Sequence, residues 1–206
     1  LPGYARMKLV VPLGGTTLFF RREVLEDLGG WDAHNVTEDA DLGLRLARQG
    51  YKTVFMPSTT KEEANARAWP WIKQRSRWIK GYAMTYGVHM RQPGQLLADL
   101  GWRKFIGFQI LFFGSLSGVL LAPILWTFWA FPLGLPHPLR GVIPDDLLLL
   151  LGVTFFAAEL LTITIGIQAV GGEKHRWLRI WVPTLHLYYP LASAAALKGF
   201  VEIVTK

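Results

Sequence analysis

Residues 105–131 read FIGFQILFFGSLSGVLLAPILWTFWAF and contain no formally charged side chain. A helix needs about 20 mostly apolar residues to cross a hydrocarbon core. The stretch therefore predicts a transmembrane span, with Pro123 as a candidate kink. Residues 147–170 repeat the pattern with one charge, Glu159. Residues 180–204 are also apolar but contain Pro183, His186, Pro190 and Lys198, so they either span or re-enter and then lie along the surface. Upstream of Phe105 the text is mixed and charged. The expected organisation is a soluble part over residues 1–103 followed by a membrane region over 104–206 with two or three spans.

Composition agrees with this division. The chain is 51% hydrophobic and 18% charged, against about 25% charged residues in an average soluble domain. Its formal net charge of +7 fits nucleic acid, anionic lipid or a phosphorylated substrate. A bilayer and a phosphorylated substrate account for the same Lys and Arg residues, so no nucleic-acid partner is expected. There is no cysteine, which excludes a disulfide framework, a thiolate metal site and a Cys nucleophile. The chain opens on Leu1 and closes inside what reads as an interrupted helix, the expectation for a piece of a longer chain.

Charge also orients the spans. Arg103 and Lys104 precede the first; Lys174, His175, Arg176 and Arg179 follow the second; the link over 132–146 holds one Arg and two Asp. The positive-inside rule puts both basic flanks, and the soluble part, in the cytoplasm.

Within the soluble part, Lys8–Pro12 reads as a short strand or loop. The β-branched and aromatic run Thr16–Phe20 predicts a strand, and so does Tyr51–Met56. Arg21–Leu28 reads as a short helix stopped by Gly29-Gly30. Thr37 is a candidate N-cap for a helix ending near Gln49, with Glu38, Asp39 and Asp41 in its first turn, where the helix dipole favours acids. Residues 64–90 read as a long helix on which Trp71, Gln74, Trp78 and Tyr82 share a face.

Two motifs carry chemistry. The first is Thr37-Glu38-Asp39 at a loop-to-helix junction. Sugar transfer needs a base to take the acceptor hydroxyl's proton, and a carboxylate fixed at a helix N-terminus can serve; taken alone, the motif reads far more readily as acids that cap a helix. Asp39-Ala40-Asp41 also spells a metal-binding D-x-D, but that motif ends a strand, and here it opens a helix. The second is Gln74-Arg75-Ser76-Arg77-Trp78. Guanidinium groups match the oxygens of a leaving diphosphate, and an indole face suits a pyranose ring. By itself this segment also reads as an interfacial amphipathic helix.

Together, in this order and followed by spans, the two motifs resemble the TED and QxxRW pair of processive family 2 glycosyltransferases, which cellulose, chitin and hyaluronan synthases share. Asn35-Val36-Thr37-Glu38-Asp39-Ala40-Asp41-Leu42-Gly43 and Glu62-Glu63-Ala64-Asn65 most resemble bacterial cellulose-synthase-like exopolysaccharide synthases, C-terminal part. The resemblance implies an α/β class: a partial GT-A fold with a mixed sheet and helices, then an α-helical transmembrane region. It implies an inverting, multi-pass enzyme of the bacterial inner membrane, a nucleotide-sugar donor (UDP-glucose first), and a growing glycan as acceptor. Asp39 matches the catalytic base, supported by Thr37 and Glu38. Gln74, Arg75 and Arg77 match the donor-diphosphate residues and Trp78 the acceptor platform. Gly14, Gly15, Thr16 and Thr17 match the strand lining the acceptor path. A divalent metal, Mg or Mn, is implied with ligands upstream of this chain, so this piece alone is expected to be inactive.

Two other functions stay open: a non-processive transferase adding one sugar to a lipid carrier, and a structural membrane module that binds anionic lipid through Arg75 and Arg77. Glu159 either lines a glycan path, pairs with a basic residue of another helix, or is a packed, protonated acid. Trp126, Trp129, Trp177 and Trp181 sit near span ends as candidate interface anchors. His34, His89 and His186 are scattered and suggest no zinc site.

Overall fold

The computed structural model describes residues 2–14, 17–56, 60, 62–170 and 173–205. Eight α-helices follow one another among them: α1 (Pro2–Arg6), α2 (Arg22–Asp27), α3 (Glu38–Arg48), α4 (Ala68–His89), α5 (Pro93–Phe108), α6 (Gly114–Thr127), α7 (Asp145–Ala169) and α8 (Tyr189–Thr205). A π-helical turn, Gln109–Phe113, joins α5 to α6, and 3₁₀ turns cover Phe128–Ala130 and Glu173–Tyr188.

The expected α/β class does not hold. Among the described residues there is no strand and no sheet, and an isolated bridge between Arg140 and Ile143 is the only β pairing. The described parts of both strand candidates, residues 17–20 and 51–56, are irregular. A strand exists only with a hydrogen-bonded neighbour, and β-propensity reports fit to a half-buried pleated surface rather than a backbone preference. Here the β-branched and aromatic side chains find no such surface: Phe19 is 78% and Val54 72% exposed. The Thr17 hydroxyl is hydrogen-bonded to that of Thr60, four residues beyond the second segment, at 2.9 Å.

The chain forms two compact units. The first comprises residues 1–118 with 194–206, and α3 is its centre. One face of α3 buries Ala40, Leu44 and Ala47 with Val10, Leu96, Leu100, Phe108 and Phe112, and α4 adds Tyr82 and Tyr86 to this core. The opposite face places Leu42 and Leu46 against Leu13, Leu18 and Phe20. Gly43 permits the approach of the 11–13 segment, since a Cβ there would stand 2.7 Å from the Val11 carbonyl oxygen. In α5 the helix breaks at Gly101, whose φ of 70° is left-handed, a conformation that glycine takes without a Cβ penalty. The last turns of α8 close on α4: Ala195, Ala196 and Gly199 are buried, and a Cβ on Gly199 would stand 3.0 Å from the Ser76 carbonyl oxygen.

The second unit comprises residues 119–193. Its core is Phe128, Leu148 and Phe155, joined by Trp129 and Phe156. Glu159 is buried, and the Tyr189 hydroxyl donates to its Oε1 at 2.8 Å; its partner is thus a phenol. Trp129 stacks on His186 with centroids 4.5 Å apart, so it belongs to this core, whereas Trp126, Trp177 and Trp181 remain exposed. Two helical stretches, Pro93–Ala130 and Asp145–Ala169, are long and apolar enough to cross a membrane. The third apolar segment is divided between 3₁₀ turns up to Tyr188 and α8.

Candidate active site

Helix α3 starts at Glu38, with Thr37 at the N-cap position, but the Thr37 side chain makes no capping hydrogen bond. Its hydroxyl instead donates to Asn35 Oδ1 at 3.3 Å, and its N–H donates to the same oxygen at 3.0 Å. Asn35 and Thr37 are buried while Val36 between them is exposed, and α4 covers the two buried side chains. Asn35 Nδ2 donates to Thr85 Oγ1 at 2.7 Å. Thr37 lies directly on Gly81, where an added Cβ would come within 2.4 Å of its Oγ1. Farther along both helices, His89 Nε2 is 2.9 Å from Asp41 Oδ1. Gly81, Thr85 and His89 recur every four residues, so one face of α4 lies along the carboxylate motif.

The first motif is therefore packed on the helix that bears the second, at residues that follow the second motif along α4. Asp39 is half-buried, and its Oδ1 accepts the Ala40 N–H at 2.7 Å. Its charge reaches α4: burial raises the Tyr82 pKa above the ordinary phenol value, and Asp39 raises it further, with a smaller effect from Tyr4. Trp78 stands one helical turn before Tyr82 and is 43% exposed.

Within the second motif the basic residues differ. Arg77 is exposed. Arg75 is packed along the helix, its guanidinium carbon 4.3 Å from the Trp78 ring centroid and 5.2 Å from that of Trp71. Its Nε is buried with no hydrogen-bond partner among the described residues, and burial lowers its pKa from the usual arginine value. A guanidinium stacked on indoles is held by the ring quadrupoles. Gln74 Oε1 accepts from Asn65 Nδ2 at 2.9 Å.

The acceptor-path candidates lie elsewhere. Gly14 and Thr17 line a cleft of about 650 Å³ with Phe20, Tyr51, Phe55 and Thr60. That cleft shares no lining residue with the Asp39–α4 contact. Gly15 and Thr16 lie outside the described residues.

Asp41 is unsuited to a metal. It is buried, with Oδ1 on His89 and Oδ2 accepting from Arg45 Nε at 2.8 Å. Burial pushes its pKa up, but the hydrogen bond with His89 and the neighbouring Arg45 guanidinium outweigh that and hold it below the ordinary value. Among the described residues no group of three or more His, Asp or Glu side chains could hold a metal ion. The described residues do not fit the divalent cation that the resemblance implies.

Sequence reasoning missed Asn35, Gly81, Thr85, His89 and Arg48. The four-residue spacing of Gly81, Thr85 and His89 was the available signal: a small and polar stripe on a helix otherwise aromatic and basic.

Residues 2–195 match the profile described as Glycosyl transferase family group 2. The chain belongs to that family. It is 28% identical over 153 residues to a UDP-forming cellulose synthase catalytic chain of Dictyostelium discoideum, covering 65% of this chain and 13% of that protein. It is 30% identical over 133 residues to the beta-monoglucosyldiacylglycerol synthase of Synechocystis sp., covering 60% of this chain and 26% of that protein. The probable glycosyltransferase YdaM of Bacillus subtilis is 36% identical over 73 residues, 35% of this chain and 17% of that protein. The chain thus spans about a quarter or less of the length of these curated relatives. No solved structure matches it.

Proposed function

We propose that this chain is the membrane-proximal part of an inverting glycosyltransferase that polymerises a nucleotide-activated sugar, UDP-glucose first, into a β-linked exopolysaccharide. The observation that carries the reading is the packing of the Thr37-Glu38-Asp39 turn onto the helix that bears Gln74, Arg75, Arg77 and Trp78. A base and a phosphate- and sugar-binding helix have to act on one substrate, and this contact holds them together.

In this reading Asp39 takes the proton from the acceptor hydroxyl as its oxygen attacks the anomeric carbon. The bond to the diphosphate breaks as the glycosidic bond forms. Arg77, exposed on α4, faces the charge developing on the diphosphate, with Gln74 beside it. Arg75 covers one face of Trp78 and leaves the other for the acceptor sugar. Gly14 and Thr17 line a more distant stretch of acceptor path. The ligands of the implied divalent cation come from outside the described residues.

A bilayer is the partner of the two long apolar helices. Support comes from what they expose: Ile110 and Phe113 on the first and Leu149, Leu150, Leu160, Leu161 and Ile165 on the second are each more than half exposed, a surface that water would penalise by about 25 cal/mol for each Å² of apolar area. The catalytic part then faces the cytoplasm by the Lys/Arg asymmetry.

A second reading, transfer of one sugar to a lipid acceptor, is favoured by the likeness to a beta-monoglucosyldiacylglycerol synthase. The test is to supply radiolabelled nucleotide sugars to membranes carrying the intact protein, then size and linkage-analyse the product. A β-linked polymer is expected. A single sugar on extractable lipid selects the second reading, and no transfer from any donor overturns both.

A further inference from the structure

His89 ends α4 and is 6% exposed. Its two ring nitrogens face opposite partners, both on α3. Arg48 Nη1 lies 2.9 Å from Nδ1, and Asp41 Oδ1 lies 2.9 Å from Nε2. A guanidinium only donates, so Nδ1 accepts; the ring proton then sits on Nε2 and is donated to Asp41. The chain of contacts continues at both ends. Arg48 Nη2 and Nε donate to Asp99 Oδ2 on α5, at 2.6 and 2.9 Å, and Gln95 Nε2 donates to Asp99 Oδ1 at 2.6 Å. Arg45 donates to Asp41 Oδ2 and to the carbonyl oxygens of Leu28 and Gly30, the latter two at 2.7 Å. One imidazole thus closes a polar chain through α5, α3, α4 and the turn after α2.

Its place along α4 gives it a mechanical role. Gly81 against Thr37 and Thr85 against Asn35 pin α4 to the turn before the carboxylate helix. Those two anchors lie one turn apart, and Tyr82 and Tyr86 pack beside them on the core that holds Ala40, Leu44 and Ala47. His89 is a third anchor, about 12 Å along α4 from the first at 1.5 Å per residue. It binds Asp41, two residues beyond Asp39, and so fixes the angle between the helices as well as their contact.

We propose that His89 is a positioning residue: by accepting from Arg48 and donating to Asp41 it locks α3 to α4, and so holds the Asp39 carboxylate at one separation from the arginine–tryptophan motif. The proposal rests on the reading of Asp39 as the base. It requires a side chain that accepts at one atom and donates at another. Leucine does neither, asparagine is too short to reach both partners from the same backbone position, and glutamine does both.

The experiment measures kcat and donor KM of the intact transferase in membranes for His89→Leu, His89→Asn and His89→Gln, with hydrogen exchange of the α3 amides followed in each. Because a misplacement of about 1 Å costs up to 10²-fold in rate, kcat should fall roughly 10- to 100-fold in the Leu and Asn variants with donor KM unchanged. His89→Gln should stay within about threefold of wild type on the same argument, and α3 should exchange faster in His89→Asn than in His89→Gln. If His89→Leu does not accumulate, the Asn and Gln pair decides. Equal kcat in those two variants overturns the proposal, as does a wild-type kcat in His89→Leu. Asp39→Asn is assayed in parallel: full activity there defeats the base assignment, and exchange still tests the clamp, which equal α3 protection in the Asn and Gln variants would overturn.

Discussion

Helix α4 contains two glycines whose substitution by alanine should have opposite effects. An alanine Cβ at position 81 would lie 2.4 Å from Thr37 Oγ1, 2.5 Å from its Cγ2 and 2.8 Å from its Cβ. Ordinary van der Waals contact begins at 3.4 Å, so α4 and the Thr37 turn must separate by about 1 Å at this point. At Gly87, on the same helix, nothing lies within 4 Å of an added Cβ. Both substitutions gain about 0.8–1 kcal/mol of helix propensity, and that gain cancels between them. The difference is the overpacking term, about 1–3 kcal/mol. Gly81→Ala should therefore unfold at lower temperature than Gly87→Ala in the same detergent. A 1 Å displacement between base and substrate helix should also cost on the order of 10²-fold in kcat, while Gly87→Ala stays active. Adding Thr37→Ala removes two of the three clashing atoms and should restore part of the stability lost by Gly81→Ala. Equal melting temperature and activity in the two single variants would refute the claimed contact between α4 and the carboxylate turn.

Asp39→Asn keeps size but removes basicity, so synthesis in the intact enzyme should drop by about 10²–10⁴-fold with nucleotide-sugar affinity preserved; Glu38 projects about 100° away on the helix and should not substitute. The same mutation should lower the Tyr82 pKa, because the Asp39 charge helps raise it; NMR titration of tyrosine resonances, assigned through Tyr82→Phe, reads this, and an unmoved Tyr82 would separate the two side chains. Asp41 has its folded pKa held below the usual 3.8, so its ion pair with Arg45 and its hydrogen bond with His89 contribute stability that is complete above that value and lost as pH falls through the lower folded one. An Asp41→Asn variant should therefore lose less stability than wild type on acidification below about pH 4, as read by unfolding midpoints. Single cysteines, introduced into a chain that has none, should label from opposite sides of the membrane when placed at 132–146 and at 176–179; labelling from one side only would refute the topology.

The helical elements were legible because their signals are local. A charge-free run such as 105–131 declares its apolarity residue by residue, and the helical stretches Pro93–Ala130 and Asp145–Ala169 overlap the segments expected at 105–131 and 147–170. Gly29 and Gly50, both at positive φ, end α2 and α3 where glycine ends helices. The motif residues Thr37, Glu38, Asp39, Gln74, Arg75, Arg77 and Trp78 could be singled out as candidates for the same reason, since each motif is a contiguous word. What sequence could not settle was partnership. Thr17–Phe20 and Tyr51–Met56 have strand composition, but a strand is a relation between segments, and here neither has a ladder neighbour. Arg75 and Arg77 look alike as letters; only the packed helix separates a guanidinium stacked on two indoles from one facing solvent. His89 read as one of three scattered histidines. It became part of the candidate site only when α3 and α4 were brought side by side, because the spacing of Gly81, Thr85 and His89 marks a face of α4 but does not say that residue 41 lies against it.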